Sequence, residues 1–252
     1  MKSIPSNLDI KQTKGSNSGT ILLCHGLNNC PEVMHPLRDS LSSCFFQAAN
    51  LTLDGHFGHQ KTCDGSFDLW QKNIEDSVAW IEKDSGGQDL VGIGYSLGAA
   101  MLLNQQQKFN SFSKLILIAP AIYIRARYET IMTIASPFRH FGLSAPSKNL
   151  EEYRSSGRTH FNSYFGTLKA SRTVRDSRKS VSNCLVLCSD KDELLAVNKI
   201  RKWCQNNKVE YWPIPTPYNI NCNHMIINQA ELGEKFWSEK ITKINGFLLK
   251  PL

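Results

Sequence analysis

The sequence predicts an α/β fold, with a mostly parallel sheet, helices on both faces and one inserted helical cap. Three observations predict it. Apolar runs of strand length alternate with segments of helical periodicity along most of the 252 residues, the pattern of a parallel sheet covered on both faces. Gly94-Tyr95-Ser96-Leu97-Gly98 stands between one such run and a helix start, the strand–turn–helix setting of a nucleophile elbow. The alternation breaks once, over 121–180, where no clear buried strand is found. That stretch is expected as a cap over the carboxyl edge of the sheet, within a single domain spanning 1–252.

The elements follow in order. The first clear strand is expected at 19–24, where Ile21, Leu22 and Leu23 are apolar. A helix is expected at 31–43, with Pro31 in a first turn that tolerates it. A strand at 45–50 precedes a loop at 54–65 that holds three glycines and two histidines. Trp70, Ile74, Val78 and Ile81 share one helical face, so 67–83 is expected as a helix. The elbow strand at 88–93 and its helix, starting with Ala99-Ala100-Met101, come next. Strands are expected at 114–119, stopped by Pro120, and at 182–189 and 208–214. Helices are expected at 194–206 and 225–247. Within 121–180, Ile124, Tyr128, Ile131, Ala135 and Phe138 recur at helical spacing, and Ser144-Ala145-Pro146-Ser147 reads as loop.

Composition excludes several classes. Hydrophobic residues at 41% and charged residues at 20% describe a globular chain. No apolar run approaches the ~20 residues that span a bilayer, and Met1 to Asn7 carries no signal-peptide core, which predicts a cytoplasmic protein. The eight cysteines form no CxxC pair, so neither a metal nor a redox site is expected and free thiols are the default. The net charge is +7, with the basic excess between Arg125 and Lys179. No nucleic-acid recognition motif accompanies it. A solvated basic face is the plain reading, and transient attraction to anionic lipid surfaces or acidic substrates is the sharper one.

The candidate chemistry rests on Ser96. A serine hydroxyl needs a base, and the base needs an orienting carboxylate. Behind an elbow the chain order is serine, acid, histidine. Of the histidines after Ser96, His140 and His160 fall in the expected cap, whereas His224 follows the last strand, so His224 is the candidate base. Asp190 and Asp192 both follow the strand at 182–189. Asp192 lies deeper in the loop and is preferred as the acid; Asp190 suits a turn hydrogen bond, and Glu193 a charge at a helix N-terminus. An oxyanion hole needs two backbone N–H groups aimed at one point. Leu97 would supply one and Leu27, after His25-Gly26, the other, with His25 as a brace for that loop. Ile124, Tyr128 and Ile131 are the candidate substrate-binding residues.

These pieces carry a resemblance. Leu23-Cys24-His25-Gly26-Leu27, Asp54-Gly55-His56, Gly94-Tyr95-Ser96-Leu97-Gly98, Ser189-Asp190-Lys191-Asp192-Glu193-Leu194 and Asn223-His224-Met225 together resemble the α/β-hydrolase superfamily. They look most like its monoacylglycerol lipase and bacterial carboxylesterase branch, grouped with serine aminopeptidase-like hydrolases. The resemblance implies Ser96 as nucleophile, Asp192 as acid, His224 as base, and Leu27 and Leu97 as oxyanion donors. It departs at Ser189, where the family usually has Gly, at Phe57, which interrupts a His-Gly pair, and in a reduced N-terminal hairpin. The implied function is a cofactor-free serine hydrolase cleaving carboxylic esters of small molecules, monoacylglycerols or similar lipid esters first. Thioester or amide hydrolysis, acyl transfer, or binding without turnover are the alternatives on the same fold.

Overall fold

The computed structural model describes residues 4–13, 19–45, 47–58, 61–147, 149–220 and 222–251. Phe46, His59 and Asn221, which the sequence places in a strand and two loops, lie outside the described residues, as do Met1, Lys2 and Ser3.

The strands are β1 (Leu8–Gln12), β2 (Thr20–Cys24), β3 (Gln47–Leu51), β4 (Leu90–Tyr95), β5 (Lys114–Ile118), β6 (Ser144–Pro146), β7 (Arg158–His160), β8 (Cys184–Cys188) and β9 (Glu210–Pro213). Seven form one sheet in the order β1-β3-β2-β4-β5-β8-β9, and β6 pairs with β7 apart from it. Every neighbour in the main sheet is parallel except β1, which runs antiparallel to β3. Strands β2 to β5 and β8 are buried throughout, as strands covered on both faces must be. The edge strand β1 was not expected. Only Leu8 of it is buried, too little apolar patterning to read from sequence.

Helices α1 (His35–Ser40) and α7 (Gln229–Leu248) pack together, and α2 (Phe67–Asp84), α3 (Leu97–Phe109) and α5 (Phe161–Asp176) form a second group; α4 (Ala126–Ala135) and α6 (Val197–Asn207) complete the set. Two expectations shorten. Pro36 sits in the first turn of α1, so a 3-10 turn at Pro31–Met34 replaces the expected start. Helix α7 begins at Gln229 rather than 225, because the Asn228 side chain caps it by accepting from Ala230 N–H, and it kinks at Gly233. Helix α5 went unread because Ser163, Gly166, Thr167 and Ser171 share its buried face with Leu168, Ala170 and Val174. Small polar residues leave no apolar periodicity. It lies within 121–180 yet packs on α3 and α2. Residues 144–146 of the expected loop are strand β6.

This topology creates the crevice. The chain leaves β2 for β3 on one side, then returns past β2 to β4 on the other. Strand order reverses between β2 and β4, and ligands of such sheets bind outside the carboxyl ends there. The register pairs Cys24 with Gly94, so the loop after β2 and the turn after β4 emerge side by side. That turn places Ser96 at φ 51°, ψ −111°, a conformation disfavoured for a residue with Cβ. Ser96 N–H donates to Ile118 O at 2.9 Å, and Ala121 N–H donates back to Ser96 O at 3.0 Å. Close packing holds the turn down. A Cβ at Gly98 would lie 2.3 Å from the Cys24 carbonyl oxygen, and one at Gly94 2.5 Å from Ala99 Cα.

Gly98→Ala should therefore destabilise the protein by ~1–3 kcal/mol or more, through overpacking against backbone that cannot yield. Denaturant unfolding measures it. A midpoint equal to the wild type would contradict this account of the turn.

Candidate active site

Three separate loops bring the site together. Ser96 tops the turn after β4, Asp192 follows β8, and His224 follows β9. Ser96 Oγ lies 2.9 Å from His224 Nε2, and His224 Nδ1 lies 2.7 Å from Asp192 Oδ2. With Nδ1–H donating to the carboxylate, Nε2 is free to accept the serine proton. Asp192 is fully buried. Burial works against its charge, but His224 beside it and donated hydrogen bonds hold its carboxyl below the usual carboxylate range. Leu194 and Leu195 N–H both donate to Oδ1, at 2.8 and 2.9 Å. Asp190, the alternative acid, is exposed and engaged elsewhere, with Arg201 at 2.7 Å and Tyr211 OH at 3.2 Å.

The loop after β2 is braced by two neutral imidazoles. His25 Nδ1–H donates to Gly26 O, and its Nε2 accepts from Leu53 N–H at 3.1 Å. His56 Nδ1–H donates to Asp54 O, and its Nε2 accepts from Asn28 N–H at 2.9 Å. Each ring thus uses one donor and one acceptor, which only the neutral form supplies. Burial pushes His25 down to about 3, helped by the neighbouring His56, and burial pushes His56 to about 4. Across the loop, Asn149 Nδ2 donates to Leu27 O at 2.9 Å and Asn28 O at 3.0 Å. The peptide after Leu27 is gripped at both ends, by His56 and by Asn149. Leu27 lines the same cleft as Ser96.

The cleft has a volume of about 440 Å³, within the ordinary range of ligand pockets. It is lined by Ile124, Tyr128, Ile131, Met132 and Ala135 from α4 and the residues before it, by Phe161, Tyr164 and Thr167 of α5, and by Ser96 and His224. Apart from His224, no ionisable acid or base of the Asp, Glu, Lys or Arg types lines it among the described residues. The expected stripe divides. Ile124 precedes α4 and bridges to Leu195, whereas Phe138 falls in the turn after α4, is exposed and does not line the cleft. His160 caps α5 by accepting from Asn162 N–H, and His140 is exposed. Among the described residues, no three His, Cys, Asp or Glu side chains converge on a point that could hold a metal.

Three supports were not read from sequence. Tyr95 OH donates to His224 O at 3.2 Å, and its ring lies 5.5 Å from the imidazole. Its place inside the pentapeptide could have signalled that. Glu193 is not a helix-terminal charge, since α6 starts at Val197. Its carboxylate accepts from Asn223 N–H at 2.7 Å, Asn223 Nδ2 at 2.9 Å and His224 N–H at 3.1 Å. Burial opposes its charge, but the Asn223 hydrogen bonds outweigh that and hold its carboxyl below the usual carboxylate range. Asn28, at φ 52°, ties the loop to 155–159. Its Nδ2 donates to Ser156 O and Thr159 Oγ1, and its Oδ1 accepts from Ser155 Oγ and Ser156 N–H. No sequence signal marks these roles of Glu193 or Asn28, because their partners are distant in the chain.

Residues 15–175 match the family described as Serine aminopeptidase, S33. No curated protein matches the chain in sequence. Solved structures share its fold. A soluble variant of the monoglyceride lipase of Saccharomyces cerevisiae superposes with a TM-score of 0.74 at 13% identity, over 98% of this chain and 93% of that one. The monoacylglycerol lipase of Paleococcus ferrophilus gives 0.70 at 15% identity, over 95% and 99%. Est1E of Butyrivibrio proteoclasticus gives 0.62 at 16% identity, over 96% and 93%.

The histidine braces predict a pH dependence. An unfolded histidine takes up its proton near ~6.5. In the folded chain His25 and His56 take theirs only near about 3 and about 4. Between those values the unfolded chain binds more protons, so stability is full above ~6.5 and falls as pH drops. Denaturant unfolding should give a lower free energy at pH 5 than at pH 7.5, while the Cε1–H signals of both rings stay unshifted. A ring titrating near pH 6 would contradict the bracing role.

Proposed function

Because the chain belongs to the serine aminopeptidase S33 family of the α/β-hydrolase superfamily, we propose that it hydrolyses carboxylic esters through an acyl-enzyme on Ser96. One observation carries this reading: an apolar, uncharged cleft opens onto a hydrogen-bonded serine, histidine and aspartate. Ser96 Oγ attacks the ester carbonyl carbon while its proton passes to His224 Nε2. Asp192 holds Nδ1–H and offsets the charge of the imidazolium. The Leu27 and Leu97 N–H groups receive the developing oxyanion. The carbon–oxygen bond then breaks, and His224 gives its proton to the leaving alcohol. Water, deprotonated by His224, attacks the acyl carbon; the acid departs and Ser96 regains its hydrogen.

The cleft favours a neutral acyl group. An aminopeptidase would need a carboxylate for the substrate ammonium, and the described lining has none. Apolar walls from Ile124, Tyr128 and Ile131 suit an alkyl chain. Two neighbours in fold are lipases of monoglycerides by name, and monoacylglycerols or similar lipid esters are the proposed substrates here. Thioesters would use the same groups and are separated by comparing matched ester and thioester substrates.

Asp192→Asn should lower kcat by about 10⁴-fold, by favouring the wrong imidazole tautomer, whereas Asp190→Asn should change it little. The reverse pattern would move the acid role to Asp190. Ile131→Ser should lower kcat/KM for long p-nitrophenyl esters and spare short ones, at ~0.8 kcal/mol per methylene no longer buried. A uniform loss at every chain length would make Ile131 a packing residue instead.

A further inference from the structure

The whole net charge of the chain resides in one segment. Residues 121–180 contain eleven Lys and Arg against four Asp and Glu, an excess of seven; the remaining residues carry eighteen of each sign. The rest of the chain is thus neutral, and the basic segment contributes Ile124, Tyr128, Ile131 and Phe161 to the lining of the cleft. The same segment presents an apolar ridge. Helix α4 buries no residue completely. Ile131, Ile134, Phe138 and Phe141 recur at intervals of three and four residues through α4 and the turn after it, and are 62%, 69%, 51% and 72% exposed. Leu143 continues the ridge at 46% exposed. Scattered exposed apolar residues need no explanation, but a contiguous run does.

We propose that this ridge docks the protein on anionic lipid surfaces, with the apolar side chains in the headgroup boundary and the basic residues against the phosphates. An apolar face bordered by cations is what an interfacial helix presents to such a membrane. Arg127 and Arg158 are exposed, Arg139 is half-buried, and none of the three has a carboxylate partner among the described residues. Each is instead laid on an aromatic ring or a hydroxyl: Arg127 over Tyr128, Arg139 over Phe165, Arg158 on Ser144 Oγ. Their charge is left for an outside anion. The ridge also joins the cleft, since Ile131 belongs to both. A lipid ester withdrawn from the bilayer would meet the cleft wall at that point, so the purpose of docking rests on the lipid-ester reading above. Docking itself does not need turnover.

Sedimentation with vesicles tests this. Protein carrying Ser96→Ala, which cannot turn over substrate, is mixed with vesicles of phosphatidylcholine alone or with phosphatidylglycerol added. The proposal expects binding to the anionic vesicles, release by high salt, and little binding to phosphatidylcholine. Ile134→Ser with Phe141→Ser should weaken that binding roughly tenfold or more, and Arg139→Gln by about fivefold. In the presence of Ser96, these variants should keep wild-type turnover of a short soluble ester, which shows that they fold. Equal binding to both vesicle types, no binding to either, or unchanged binding by the ridge variants would each overturn the proposal. So would a ridge-dependent dimer without vesicle binding, which would assign the ridge to a second copy of the chain. Vesicle binding without ester turnover by the unmodified protein would leave docking standing and defeat the hydrolase reading.

Discussion

The close approach of the turn after β4 to the end of β2 governs the site. Without a side chain at Gly98 the turn can sit against the Cys24 and His25 carbonyls, and without one at Gly94 the start of α3 can fold back on β4; Ser96 is held at a positive φ that its own Cβ disfavours. The strain is retained because the hydrogen bonds to Ile118 and Ala121 leave the turn no other seat. That contact sets the distance between the serine hydroxyl and the Leu27 peptide. Everything else in the site is arranged around those two points, which belong to adjacent strands paired from Cys24 to Gly94.

The second requirement is a buried charge. A carboxylate with no exposure is costly to keep ionised, and Asp192 meets that cost with His224 and two backbone N–H groups. Arg125 strengthens the loop from the segment above by donating to Asp192 O and Leu195 O. Glu193 and Tyr95 hold the backbone that carries His224. The imidazole is thus oriented by its ring through Asp192 and located by its main chain through two other residues. The loop after β2 shows the same economy, with His25 and His56 acting as hydrogen-bonding spacers, not as bases.

The sheet, the elbow and the approach of Ser96, Asp192 and His224 were legible in the sequence. Buried parallel strands such as Thr20–Cys24 are continuous apolar runs, and chemistry confined to loops after strands has few places to stand. What escaped reading shares a cause. Strand β1 buries only Leu8, and helix α5 mixes small polar residues into its buried face, so both lack periodicity; Asn28 and Glu193 bond to groups distant in the chain, which leaves no trace in spacing. The stripe Ile124, Tyr128, Ile131, Ala135 and Phe138 was visible, but periodicity does not encode which of its members line the cleft and which, like Phe138, face solvent.

The central claim is that Ser96 is an activated nucleophile. A fluorophosphonate tests it directly, because the serine oxygen must displace fluoride at phosphorus while His224 takes the proton. Intact-mass and peptide measurements should show one adduct per chain, located on Ser96, with none on the Ser96→Ala protein. An unmodified wild-type chain, or an adduct that persists after Ser96→Ala, would contradict the account.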